Sequence, residues 1–158
     1  MVKGPQKKTN RKAPQANIAI VAARFNDFVT KPLVNACWTE LKREGLTDRQ
    51  ITMVWVPGSL EIPVTALRLA RKKHIDAVIC LGAVIRGETY HFEVVANEAA
   101  RGIMDASLQS GKPVIMGVLT TNTVAEAQKR AQSDGGHNKG HDAAQAALEM
   151  IALFKKIR

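Results

Sequence analysis

One Tyr, four Phe and two Trp are all the rings in 158 residues, too few to build a stacking platform for the bases of a single strand. Cysteine is equally sparse. Cys37 falls in a helical pattern and Cys80 inside an apolar strand, with neither metal-ligand spacing nor the loop-rich setting of a disulfide framework, so both read as reduced core residues. There is no apolar run long enough to span a bilayer, and no apolar stretch of signal-peptide kind behind the charged N-terminus. The expectation is a soluble, cytoplasmic chain without membrane contact. Repeats and low-complexity segments are missing too.

What the chain does have is apolar residues at 46%, enough for one domain with a real core and too short a chain for two. The net charge of +9 suggests nucleic acid until it is mapped. Lys3, Lys7, Lys8, Arg11 and Lys12 supply five positive charges before residue 13 with no acid among them, leaving +4 for the rest. Residues 1–16 therefore read as a basic, flexible, solvated arm, and 17–158 as a single folded domain; nucleic acid is not an expected partner.

The order of patterns fixes the fold class. NIAIVAA (17–23) reads as a strand, followed by a helix with Val34, Cys37, Trp38 and Leu41 on one face that Gly45 closes. ITMVWVP reads as a second strand, and Ser59 is placed to cap a helix running through Lys73, with Pro63 tolerated near its start. DAVICLGAVI is a third, continuously apolar strand; a long helix from about His91 to Gln109 follows, ended by Gly111. PVIMGVLT is the fourth strand, after which Thr123 and Glu126 form a T-x-x-E capping box. The last helix buries Ala144, Ala147, Leu148, Ile151 and Phe154 and ends in Lys155, Lys156 and Arg158, where the helix dipole favours cations. Strands apolar throughout, alternating with helices, call for a parallel sheet covered on both faces. The architecture is a flavodoxin-like three-layer α/β/α sandwich with four parallel strands.

In such sheets ligands bind beyond the carboxyl ends of the strands, and polar residues follow all four. After the first come Arg24, Phe25 and Asn26; after the second, Pro57, Gly58, Ser59, Leu60 and Glu61; after the third, Arg86 to His91; after the fourth, Thr120 to Thr123. Turn chemistry explains any one of these loops; four at one edge point to a site. Gly87, Glu88 and Thr89 before a helix offer backbone N–H groups and a hydroxyl to a phosphate, though the chain has no P-loop. His91, in the first turn of that helix, brings an imidazole, the side-chain type suited to proton transfer near neutrality, whereas His74 and His141 read as surface or capping residues. Glu61 either complements a helix dipole or accepts from substrate hydroxyls. Phe25 is either a hydrophobic staple, which the residues alone favour slightly, or a ring exposed for stacking on a flat heterocycle. His137, His141 and Asp142 lack the ligand spacing for a metal, and none is expected.

ARFN, VPGSLEIP, GAVIRGETYHFEVVANEAA, GVLTTNT-x4-Q-x-RA and NKG-x2-AA, in this order over about residues 17 to 155, resemble the lumazine synthase family. The resemblance implies condensation of 5-amino-6-(D-ribitylamino)uracil, a pyrimidinedione, with 3,4-dihydroxy-2-butanone 4-phosphate. Phosphate and water are released in the penultimate step of riboflavin biosynthesis, with no metal or redox cofactor. By position it implies that Phe25 stacks on the pyrimidinedione beside Asn26, that Ser59 with Glu61 binds the ribityl chain or its neighbouring polar atoms, with Leu60 also binding substrate, and that Val84 and Ile85 present backbone groups to the heterocycle. Gly87, Glu88 and Thr89 would hold the phosphate together with Arg130, and His91 would move protons. It also implies a homopentamer with sites between subunits, the neighbour closing the pocket with residues after its fourth strand.

Two positions depart from the family pattern. Met116, a substrate-binding position by the same resemblance, stands where many members have phenylalanine, and keeps apolar contact while loosening ring packing; the chemistry is expected to survive. The stretch between Arg130 and Asn138, QSDGGH included, is one residue longer than in the sixty-subunit capsid formers, which implies a free pentamer; the icosahedral shell is the alternative. A non-catalytic lumazine- or flavin-binding or shell-forming protein of the same fold is the competing reading, and His91 together with Arg130 argues against it. An archaeal-type riboflavin synthase is the nearest enzymatic rival.

Overall fold

Six consecutive apolar residues, Ile18–Ala23, form strand β1, and all six are buried. A strand covered on both faces needs no polar alternation, and its residues divide between two cores. Ile18, Ile20 and Ala22 point into one; Ala19, Val21 and Ala23 point into the other. Strands β2 (Ile51–Val56), β3 (Ala77–Ile85) and β4 (Val114–Thr121) complete a sheet of order β2-β1-β3-β4 in which every pairing is parallel. Helices α1 (Asp27–Arg43), α4 (Val124–Ala131) and α5 (Lys139–Lys156) close the first core, α2 (Ile62–Ala70) and α3 (His91–Ser110) the second. The expected three-layer sandwich around four parallel strands is present. This computed structural model of the chain describes residues 15–132 and 138–157.

Several local expectations are corrected. Ala16, assigned to the arm, is buried in the first core, and its carbonyl accepts from Gln50 Nε2 at 3.0 Å; the rest of the arm, apart from Gln15, lies outside the described residues. Ser59 caps no helix. It opens a short 3-10 turn, Ser59–Glu61, and α2 begins at Ile62 with Pro63 in its first turn. That helix stops at Ala70 rather than Lys73, because Ile75 must enter the core and Asp76 must accept the Asn17 N–H at 2.7 Å. Gly45 does close α1: its φ of 100° lets its own N–H reach Lys42 and the next N–H reach Leu41. The Thr123 capping box is half made. Thr123 Oγ1 accepts from Glu126 N at 3.1 Å, but the Glu126 carboxylate takes the N–H of Asn122, one residue further back than a box requires.

A buried charge was not foreseen on α1. Glu40 is 2% exposed and accepts two bonds of 2.7 Å from Arg43, one turn on, and one from Gln145 of α5. His141 Nε2 stands 3.3 Å from the same carboxylate, so His141 is a half-buried bridge between α1 and α5 rather than a surface residue. Arg43 holds the Glu40 carboxyl below its usual range, against the opposing effect of burial.

The topology positions the site. From β1 the chain goes outward on one side to β2 and then crosses back over β1 to β3. The connections after β1 and β3 therefore leave on opposite faces, opening a crevice at their carboxyl ends.

Candidate active site

A cleft of about 490 Å³ occupies that crevice. Its walls come from the ends of three strands: Phe25 and Asn26 after β1, Pro57 to Glu61 after β2, and Ala83 to Ile85, Gly87, Thr89 and His91 at and after β3. Phe92 and Val95 of α3 complete it. Ten of the residues singled out from the sequence thus share one cavity, namely Phe25, Asn26, Ser59, Leu60, Glu61, Val84, Ile85, Gly87, Thr89 and His91. Glu88 is exposed in the same loop but does not line the cleft.

The strand ends are bound to one another before any ligand arrives. Arg24 N donates to Val56 O at 2.8 Å and Phe25 N to Pro57 O at 3.0 Å, which extends the β1–β2 ladder past the sheet. Asn26 adopts a left-handed conformation, φ 59° and ψ 41°, which an Asn tolerates better than most side chains. In that conformation its carbonyl accepts from Val29 and Thr30 at the start of α1, and its Nδ2 donates to Ala83 O at 2.8 Å. The Asn26 amide nitrogen is therefore engaged in spanning β1 and β3. Phe25, pushed outward by this turn, is 71% exposed. It staples nothing, and the ring borders the cleft as a free apolar face.

Ser59 is buried at the foot of the cleft, packed where β3 carries Gly82: a Cβ at that glycine would lie 3.2 Å from Ser59 Oγ. Leu60 and Glu61 are exposed above it. His91 is the first residue of α3, exposed, with its N–H 3.4 Å from Thr89 Oγ1. An exposed ring, a carboxylate, an imidazole and a loop at a helix start thus line one cleft, groups that can stack, accept hydrogen bonds, move a proton and receive an anion.

Met116 and Arg130 lie elsewhere. They line a second cavity of about 400 Å³, between β4, α4 and the start of α5. β4 is an edge strand, and Met116 on it is 45% exposed. Arg130 Nη1 donates to the Glu126 carbonyl one turn back at 2.9 Å. Beside it are Lys139 and Asp142, paired at 2.8 Å. Burial raises the Asp142 pKa, but its bonds to Lys139 and His141 outweigh that and hold the carboxyl below its usual range. Lys139 and Asp142 received no role from the sequence, although Lys139 sits in the NKG motif already quoted. His137 and most of QSDGGH lie outside the described residues, and among the described residues no group of three or more His, Cys, Asp or Glu is arranged for a metal. Cys37 and Cys80 are free and buried, and burial raises both thiol pKa values, Cys37 to about 12. Neither faces the cleft. No helix among the described residues is long and apolar enough to cross a membrane.

Compared with known families, residues 15–155 match the model of 6,7-dimethyl-8-ribityllumazine synthase.

Proposed function

The chain belongs to the 6,7-dimethyl-8-ribityllumazine synthase family, and from that premise we propose that it condenses 5-amino-6-(D-ribitylamino)uracil with 3,4-dihydroxy-2-butanone 4-phosphate. The observation that carries the proposal is the convergence of Phe25, Glu61, His91 and the Gly87–Thr89 loop on one cleft at the topological switch point.

The chemistry asks for positioning and proton transfer. An amine must meet a ketone, water and phosphate must leave, and a second amine must close the ring; each step moves a proton while the carbon skeletons mainly need to be held together. The exposed Phe25 ring offers a stacking face for the pyrimidinedione. The backbone of Val84 and Ile85 borders its edge, and Ser59, Leu60 and Glu61 receive the ribityl chain. Gly87, Glu88 and Thr89 hold the phosphate, and His91, at the same helix start, carries the protons.

Arg130 takes part from another subunit. It lines a cavity at the sheet edge, separate from the cleft of its own chain, so its fork reaches a leaving phosphate when the β4 edge of one subunit closes the cleft of the next. A homopentamer provides that arrangement, with Met116 contributing a flexible apolar contact at the seam.

The test is direct. Purified protein is mixed with both substrates, without metal or flavin, and lumazine formation is followed by absorbance over the nonenzymatic background. Acceleration that His91→Ala reduces supports the synthase. Tight lumazine or flavin binding without acceleration would replace it with a carrier.

A further inference from the structure

Arg86 stands immediately before the Gly87–Thr89 loop, yet it does not line the cleft. Its guanidinium is engaged elsewhere. Nε donates to Asn122 Oδ1 at 2.9 Å, Nη1 pairs with the Glu93 carboxylate in the first turn of α3, and the planar group lies 4.2 Å from the centroid of Phe92, a wall of the cleft. The Arg86 backbone N–H is held as well, by Thr121 O at 2.9 Å. One residue thus joins the end of β3, the end of β4 and the start of α3.

The contacts continue beyond Arg86. Asn122 N donates to Glu126 Oε2 at 2.9 Å, and the Glu126 carbonyl receives Arg130 Nη1. The other oxygen of Glu93, Oε2, is buried without a hydrogen-bond partner, so its charge depends on Arg86, whose bond keeps the Glu93 carboxyl below its usual range. Elements that carry the loop and His91 on one side, and Arg130 on the other, are joined through a single fork.

We propose that Arg86 is a positioning residue for phosphate recognition, fixing the Gly87–Thr89 loop through Glu93 and Asn122 and the α4 helix of Arg130 through Asn122 and Glu126. The inference rests on the synthase reading for what the phosphate belongs to. A lysine cannot replace it, because a single ammonium cannot bond Asn122 and Glu93 in one plane and stack on Phe92 as well.

The experiment uses the full chain with Arg86→Lys, Asn122→Ala and, as control, Arg101→Ala, which removes an exposed pair with Glu98 on the same helix. Inorganic phosphate is titrated by calorimetry, KM is measured for each substrate, and thermal midpoints are recorded. Arg86→Lys should weaken phosphate and raise the KM of the phosphorylated ketone on the order of tenfold or more, leaving the KM of the pyrimidinedione within about twofold, as expected where only one subsite is misplaced. Asn122→Ala should give the same split to a smaller degree, and Arg101→Ala none. Unchanged phosphate affinity in Arg86→Lys overturns the proposal. So does an equal loss for both substrates with a collapsed thermal midpoint, which would make Arg86 merely structural. If the wild type binds phosphate but makes no lumazine, the synthase reading fails, and the phosphate affinity of Arg86→Lys alone decides the role of Arg86.

Discussion

Substituting Gly140 with alanine sets two opposed effects against each other. Gly140 is the second residue of α5 and lies against the backbone of Leu33 in α1. An added Cβ would overlap the Leu33 carbonyl oxygen and stand 2.7 Å from its carbonyl carbon and 2.9 Å from its Cα. All three obstacles are backbone, so no side chain can swing away. Restoring carbon contacts to their ordinary separation requires the helices to part by on the order of 1 Å, along the seam that also carries Gln145 to Glu40. Overpacking of this kind costs about 1–3 kcal/mol, and an obstacle of backbone favours the upper end. Helix propensity works the other way, preferring alanine by at most about 1 kcal/mol. The net expectation is a loss of about 2 kcal/mol, or about 5 °C in thermal midpoint for a chain of this size, with both proteins at equal subunit concentration. Function should follow, because Asn138 accepts from Gly140 N and donates to Ala131 O, next to Arg130. A midpoint equal to or above wild type would refute the close packing of α1 on α5.

Two other perturbations probe the site and the buried charge. His91→Ala should lower kcat by on the order of a hundredfold or more with little change in substrate binding, whereas Arg130→Ala should both slow turnover and raise the KM of the phosphorylated ketone alone; steady-state kinetics with each substrate varied separates them. Glu40→Gln should destabilise the fold at neutral pH by about 1–2 kcal/mol. Because the Glu40 carboxyl lies below its unfolded value, its contribution is present above the usual carboxylate range and disappears as pH falls through the folded value. The gap between wild type and Glu40→Gln in denaturant titrations should therefore close on acidification, and a gap that widened would contradict it.

The strands were legible because a sheet buried on both faces writes itself as uninterrupted apolar runs, and the four loops followed from where those runs end. Harder to see was anything decided by partners far along the chain. Glu40 looks like a solvated helix residue, and only Gln145, 105 positions away, and His141 explain its burial; that it falls one turn beyond Cys37, on the same face, was the available signal. Arg86 was visible in the motif, but its bonds run to Asn122 and Glu93, so its use could not be read from neighbours in sequence. The slight preference for Phe25 as a staple does not fit a ring that is 71% exposed beside the left-handed Asn26.

The strand order also sets a timetable for the chain as it leaves the ribosome. β1 is made first but stands in the interior of the sheet, bonded to β2 on one side and β3 on the other, so its second ladder must wait until the residues from Ala77 to Leu81 have been synthesised. The face of α1 that meets α5 waits longer, until the residues from Lys139 onward arrive. For most of synthesis the nascent chain carries an apolar helix face and an open sheet edge, the surfaces that invite association with other chains. The parallel pairing that gathers the cleft residues at one edge of the sheet therefore also delays the covering of those surfaces until the chain is nearly complete.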